Sequence, residues 1–371
     1  MKFIPVSEPN IDEVEKKNII EAFDSTWISS KGKYIDLFER KFAEYIGTKY
    51  ATTTFNGTVS LHLILKALGI KSGDEVIVPT FTYIASVNAI KYVGATPIFI
   101  DSEINTFNMN VNKIEDLITK KTKAIIAVHI YGHSVDIDPL VNICKKNGIF
   151  LIEDAAEALG TKYKGKKIGK FGIASSFSFF ANKLITTGEG GMITSDDENL
   201  IKKIRKLKNQ GNSDETKYKH DIIGYNYRMT NLQAALGVAQ LSKVNELLEL
   251  KKRNANIYRK YLNHVYIEHS GVKEYCDSSF WMNSILLDKK IGKKRELIMQ
   301  ILEKDFAIET RPFFYPVHTM SIYKQYSIGE YPICEDFYYR GINLPSSTKL
   351  TEDEINYISN SIFETISKLG G

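Results

Sequence analysis

The chain has 371 residues, 43% hydrophobic and 25% charged, with a formal net charge of +5; that is long enough for one large core and a second, smaller one. The balance excludes a disordered or low-complexity protein, no apolar run is long enough to span a bilayer, and no basic, apolar leader stands at Met1. Cys144, Cys276 and Cys334 are odd in number and widely spaced, which speaks against a disulfide framework or a zinc site and for a reducing cytoplasm.

The first forty-odd residues, including DEVEKKNIIEAFDS, read as a helical arm packed elsewhere on the fold. From about residue 50 strands and helices alternate. YATTTF, EVIVP, TPIFID, KAIIAVHIYG and IFLIED are strand-like, with helical stretches such as TVSLHLILKAL and YIASVNAIKYV between them. ASSFSFF and GGMITS add two more strands. The short β-branched runs predict buried strands of a mainly parallel sheet covered by helices, an α/β fold. The lysines of KKTK (120–123) and IKKIRKLKNQ (201–210) read as solvated helix faces, and no basic face with stacking aromatics points to nucleic acid. Past Thr230, LQAALGVAQLSKVNELLELKKRNANIYRKYL forms one long amphipathic stretch, and about 265–371 mixes strands (FWMNSILL) with helices (KRELIMQILEKD, EDEINYISNSIFETI). The division expected is a large domain with its arm over 1–245 and a small α+β domain over 246–371.

The chemistry concentrates around one lysine. The apolar run Phe171 to Gly188 carries a single charge, Lys183. Burial depresses a lysine's pKa and makes the amine a nucleophile for carbonyls. Upstream, the strand IFLIED ends on Asp154. A strand-end carboxylate with a buried lysine downstream suits pyridoxal phosphate (PLP), which needs a Schiff-base amine and an anion opposite its ring nitrogen. Asn56-Gly57-Thr58 stands where a strand turns into a helix, a place for an anion on free N–H groups, and Ser178 offers a hydroxyl to the same anion. Each is also ordinary punctuation or strand polarity when taken alone. Tyr83 opens a helix after EVIVP and can stack on a flat ring or fill the core. The glycine-rich TTGEGG after Lys183 cradles a ligand or merely turns the chain. His129 and His133 are four apart, but Gly132 breaks the segment, so no metal is expected there. No GxSxG elbow is present for a Ser-His-Asp hydrolase.

Taken together, NGTVSLHL, VPTFTYIAS, EDAAEALG, SFSFFANKLITTGEGG and GYNYRMTNLQAALG resemble the DegT/DnrJ/EryC1/StrS nucleotide-sugar aminotransferases over nearly the whole chain. The resemblance implies the aspartate-aminotransferase (type I PLP) fold and a cytoplasmic homodimer with shared active sites. It implies that Lys183 carries the cofactor and shuttles the proton, that Asp154 keeps the pyridine nitrogen protonated, and that Tyr83 covers the ring. It implies further that Gly57, Thr58 and Ser178 hold the phosphate, that Asn226 crosses to the partner's phosphate, and that Glu157 sits beside the ring. WISSKGKYI, EDAAEALGTKYKGKKIGKFG and RPFFYPVH resemble members that move the amino group of L-glutamate onto C4 of GDP-4-keto-6-deoxy-mannose, with Trp27, Ser29, Tyr315 and His318 as sugar-nucleotide contacts. UDP- or dTDP-linked 4-keto-6-deoxy sugars remain open as substrates, as does a PLP-binding regulator. The related 3-dehydratases carry histidine in place of the lysine, against which Lys183 speaks.

Overall fold

The computed structural model describes residues 2–213 and 215–369. Two helices, α1 (Glu13–Asp24) and α2 (Lys33–Ile46), precede β1 (Tyr50–Thr54). Then come α3 (Gly57–Ala67), β2 (Glu75–Pro79), α4 (Ala85–Tyr92), β3 (Thr96–Ile100), β4 (Thr122–Val128), α5 (Ile137–Asn147) and β5 (Phe150–Asp154). The short hairpin β6 (Lys162–Tyr163) and β7 (Lys166–Lys167) leads to β8 (Ala174–Ser178), β9 (Gly191–Ser195), α6 (Glu198–Lys208), α7 (Asn231–Ser242) and α8 (Val244–Tyr261). The remainder holds β10 (Ile267–His269), β11 (Cys276–Asp277), β12 (Asn283–Leu287), α9 (Lys289–Gly292), α10 (Arg295–Phe306), β13 (Arg311–Pro312), α11 (Pro332–Arg340), β14 (Gly341–Leu344) and α12 (Glu352–Lys368).

Seven strands form the large sheet in the order β1-β9-β8-β5-β4-β2-β3. The pairs from β3 through β8 are parallel, whereas β9 runs antiparallel to both β8 and β1. Its strands are short runs such as TKAIIAV and EVIVP, buried on both faces, because helices cover each side. Val76, Val78 and Ile126 join the core that α3 and α4 close, while Ile77, Ile125 and Ala127 face the core closed by α5. A second sheet, β10-β12-β14-β13, is antiparallel and packs against α8, α10 and α12 through Ile285, Tyr258, Leu302 and Ile358. The pairing of β11 with β6 ties the hairpin of the large-sheet half to the later half of the chain.

The long amphipathic stretch after Thr230 is two helices rather than one. Lys243 leaves helical geometry (φ −111, ψ 13) between α7 and α8. Its ammonium there lies 2.8 Å from both Asp12 and Glu15, so the break anchors the start of α1.

Candidate active site

With β1, β8, β5, β4 and β2 running the same way, their C-terminal ends meet along one edge of the sheet, the place where open α/β sheets bind ligands. A cavity of about 430 Å³ opens there. One wall comes from the segments leaving these strands: Asn56, Gly57 and Thr58 after β1, Thr82 and Tyr83 after β2, Tyr131 after β4, Asp154 and Glu157 at the end of β5, and Ser178 and Lys183 after β8. The other wall comes from Trp281, Met282, Arg311, Pro312, Phe314 and Asn343.

The α3 N-terminus forms because Asn56 caps it, its side chain accepting the Val59 N–H at 3.0 Å. The N–H groups of Gly57 and Thr58 begin the helix with no intrahelical acceptor, and they border the cavity. A Cβ on Gly57 would stand 3.1 Å from the Ser178 Cβ, and one on Gly191 2.5 Å from the Asn56 carbonyl carbon. Glycine at both places lets the turn, the Ser178 hydroxyl and β9 crowd together into a cradle for an anion.

Asp154 is buried, and its two oxygens are fixed, one by the Ser86 hydroxyl at 2.6 Å and the other by the Ala156 N–H at 3.1 Å. Burial pushes its carboxyl up, opposed by those two hydrogen bonds and by the Lys183 charge. Lys183 Nζ stands 3.9 Å from Glu157 Oε1 and 3.9 Å from the centre of the Trp281 ring. Burial pushes this amine down against the pull of Glu157 and Asp154. Glu157 accepts the Tyr131 N–H at 2.9 Å, and burial pushes its carboxyl up to about 7. Desolvation thus leans both members of the Lys183–Glu157 pair toward neutrality, so the amine is kept available as a nucleophile and base. Tyr131 holds this position with φ +51, an uncommon backbone state for a non-glycine residue that here sits at the cavity wall.

Gly57, Thr58, Tyr83, Asp154, Glu157, Ser178 and Lys183 therefore share one cavity. The other expected residues do not line it. Asn226 is exposed, its side-chain oxygen accepting from the Arg228 guanidinium at 3.1 Å. Trp27 and Ser29 are exposed on a separate surface, where Asn231 ties their carbonyls to the start of α7. Trp27 borders a different cavity there. Tyr315 packs its ring on Tyr338. His318 is buried, and its imidazole shares hydrogen bonds with Thr80 (2.7 Å) and Glu335 (3.1 Å). For Tyr315 and His318 the reason is local: after Phe314 the chain turns at Pro316 into a short 3₁₀ turn, Val317–Thr319, which carries His318 into the core beside β2. In RPFFYPVH it is Arg311, Pro312 and Phe314 that line the cavity. His129 and His133 are engaged separately: His129 Nδ1 accepts the Val135 N–H, and His133 Nε2 accepts the Lys273 N–H.

Among the cavity residues that the sequence did not single out, four bear on the chemistry of the site: Ser86, Tyr131, Trp281 and Asn343. Ser86 alone had a local signal, one helical turn after Tyr83 at the start of α4.

A buried amine opposite a buried, hydrogen-bonded carboxylate, beside an anion cradle at a helix N-terminus, fits PLP group by group, and the fold and site define a PLP-dependent enzyme of the aspartate-aminotransferase type. The chain belongs to the DegT/DnrJ/EryC1/StrS aminotransferase family, whose model matches residues 9–363. It is 52% identical to the GDP-perosamine synthase of Escherichia coli O157:H7, covering 99% of this chain and 100% of that protein. It is 48% identical to the GDP-perosamine synthase of Vibrio cholerae, covering 97% and 98%. Among solved structures, Spr1654 of Streptococcus pneumoniae in its PLP form superimposes with a TM-score of 0.95 at 31% identity, covering 100% of each chain. The protein is a PLP-dependent sugar aminotransferase.

Proposed function

We propose that this protein moves the amino group of L-glutamate to C4 of GDP-4-keto-6-deoxy-D-mannose, forming GDP-perosamine. The observation that carries the reading is near-full-length identity of about half to GDP-perosamine synthases, joined to an intact lysine and carboxylate in the cavity. When bound, PLP supplies the carbonyl that takes up the amino group and a ring that withdraws electrons from the reacting carbon.

The chain's own residues do the rest. Lys183 Nζ anchors the cofactor covalently and then, freed, carries a proton at the donor's Cα and later at the sugar's C4. Asp154, fixed by Ser86 and Ala156, holds a proton at the ring nitrogen. Gly57, Thr58 and Ser178 hold the phosphate through N–H and O–H donors. Tyr83, at the cavity wall, would cover the ring, and Glu157 orients the Lys183 amine from 3.9 Å. Arg311, Phe314 and Asn343 close the side on which the sugar enters.

Asn226, Trp27 and Ser29, exposed in the single chain, serve the neighbouring site in a twofold homodimer, where each surface is used twice. Such an enzyme works in the cytoplasm; among the described residues no helix is long and apolar enough to cross a membrane.

The test is a substrate panel with glutamate as donor. GDP-4-keto-6-deoxy-mannose is expected to be aminated with a kcat/KM at least about a hundredfold above that for dTDP- or UDP-4-keto-6-deoxy-glucose. Equal or better use of a dTDP- or UDP-linked sugar overturns the choice of substrate while leaving the aminotransferase in place.

A further inference from the structure

Lys251 belongs to no step above, yet it is almost as enclosed as any residue in the molecule. It projects from α8, is 3% exposed, and its Nζ donates to the Trp281 carbonyl at 2.8 Å and to the Ser346 carbonyl. Both acceptors are neutral, and among the described residues no ion pair to a carboxylate accompanies them. A buried ammonium without a counter-charge is costly, so a purely structural residue there would be better served by an apolar side chain with the carbonyls paired elsewhere.

What those hydrogen bonds hold is the wall behind the reactive amine. Trp281 lays its ring face 3.9 Å from Lys183 Nζ, and its indole Nε1 donates to the carbonyl of Asn182, the residue before Lys183, at 2.8 Å. The same ring packs along Tyr131, whose N–H holds Glu157. Trp281 is thereby clamped twice, its main chain by Lys251 and its side chain by Asn182. The residue before it, Phe280, has φ +47, a backbone state that needs such an external tie to persist.

We propose that Lys251 is a positioning residue for amino transfer: it fixes Trp281 against Lys183 and so sets where the Lys183 amine sits and how readily it holds a proton. This inference rests on Lys183 being the cofactor-bearing lysine. The charged groups that face Lys183 are Glu157 and Asp154, which favour its protonated form. Burial and the nearby Lys183 charge push the Lys251 amine down to about 7, so its hold on the Trp281 carbonyl does not depend on a full positive charge.

The test uses the holoenzyme and its visible chromophore. In Lys251→Met the clamp and the charge are gone, water reaches Nζ, and the protonated form gains. The pH midpoint of the chromophore is expected to rise by about one unit, a tenfold change in proton affinity. The glutamate half-reaction is expected to slow about tenfold or more while KM for glutamate changes little. Lys251→Arg, which keeps the charge and the donors, restores the midpoint toward wild type. Because Lys251→Met leaves two carbonyls unpaired and can fail to fold, Lys251→Gln, which keeps donors but no charge, is measured alongside. A route through Trp281 also requires that Lys251→Gln combined with Trp281→Phe slow the half-reaction no more than the worse single variant. Midpoints and rates at wild-type values in a folded Met or Gln variant, or multiplied losses in the double variant, overturn the inference. A wild-type holoprotein lacking a lysine-bound chromophore overturns this inference together with the reading of Lys183; a normal chromophore unmoved by the variants overturns this one alone.

Discussion

The two walls of the cavity are built by different means. The large-sheet wall takes its side chains from the ends of neighbouring strands and the turns that leave them, so Asp154 and Ser178 are placed by β-sheet pairing and Lys183 by the turn that follows β8. The opposite wall takes Trp281, Arg311, Phe314 and Asn343 from segments that meet only once the second sheet has formed and docked. The first wall holds the groups that chemistry cannot do without; the second shapes what is admitted. Trp281, whose ring meets Lys183, belongs with the first wall in its effects; substitutions elsewhere on the two walls are therefore expected to separate into losses of kcat and changes of KM.

The largest effect belongs to the first wall. Lys183→Ala removes the amine and the proton carrier together, and product formation followed by mass spectrometry is expected to fall by roughly 10⁴-fold or more. Next comes Asp154→Asn, in which an uncharged amide replaces the buried carboxylate. The cofactor still binds, and stopped-flow rates of the glutamate half-reaction are expected to drop about 10²–10³-fold. Near-normal single turnovers would make Asp154 a structural cap and erase the distinction between the walls.

On the second wall, Arg311→Ala is expected to raise KM for the nucleotide sugar about tenfold and to change kcat by less than about threefold. A kcat loss as large as that of Asp154→Asn would show that both walls take part in the chemistry. Beyond the wall, His318→Ala breaks the buried contacts with Thr80 and Glu335. It is expected to cost about 1–3 kcal/mol in denaturant unfolding and to leave KM for the sugar within about twofold.

The last effect is one of pH and touches stability alone. The folded protein keeps the Glu157 carboxyl protonated up to about 7, whereas an unfolded glutamic acid loses its proton near 4.3. Between those values the folded state binds more protons, so this group lowers stability as pH rises, and its penalty is complete above about 7. Glu157→Gln removes the titration and keeps an acceptor for the Tyr131 N–H. Its Tm without cofactor is expected to exceed wild type at pH 8 and to match it near pH 4. A gain at pH 4 as large as that at pH 8 would mean that the variant acts through packing.

The same contrast explains what the sequence disclosed. Apolar β-branched runs mark buried strands, and a polar residue at the end of such a run has few places to go, so Asp154 and Lys183 were legible. The glycine turn at Asn56–Thr58 was legible because helix capping is a local matter. The break at Lys243 was not, since it depends on Asp12 and Glu15 more than two hundred residues earlier. Trp281 and Asn343 gave no sign because their meeting with Lys183 and Tyr131 is wholly tertiary. His318 drew notice for its imidazole, yet the turn after Pro316 and the Thr80 hydroxyl decide where that ring lies.

The most direct measurement is borohydride reduction of the yellow holoenzyme followed by peptide mapping. The pyridoxyl group is expected on Lys183 and on no other lysine. Its absence, or its appearance on another lysine such as Lys251, would contradict the assignment of the cavity on which everything else depends.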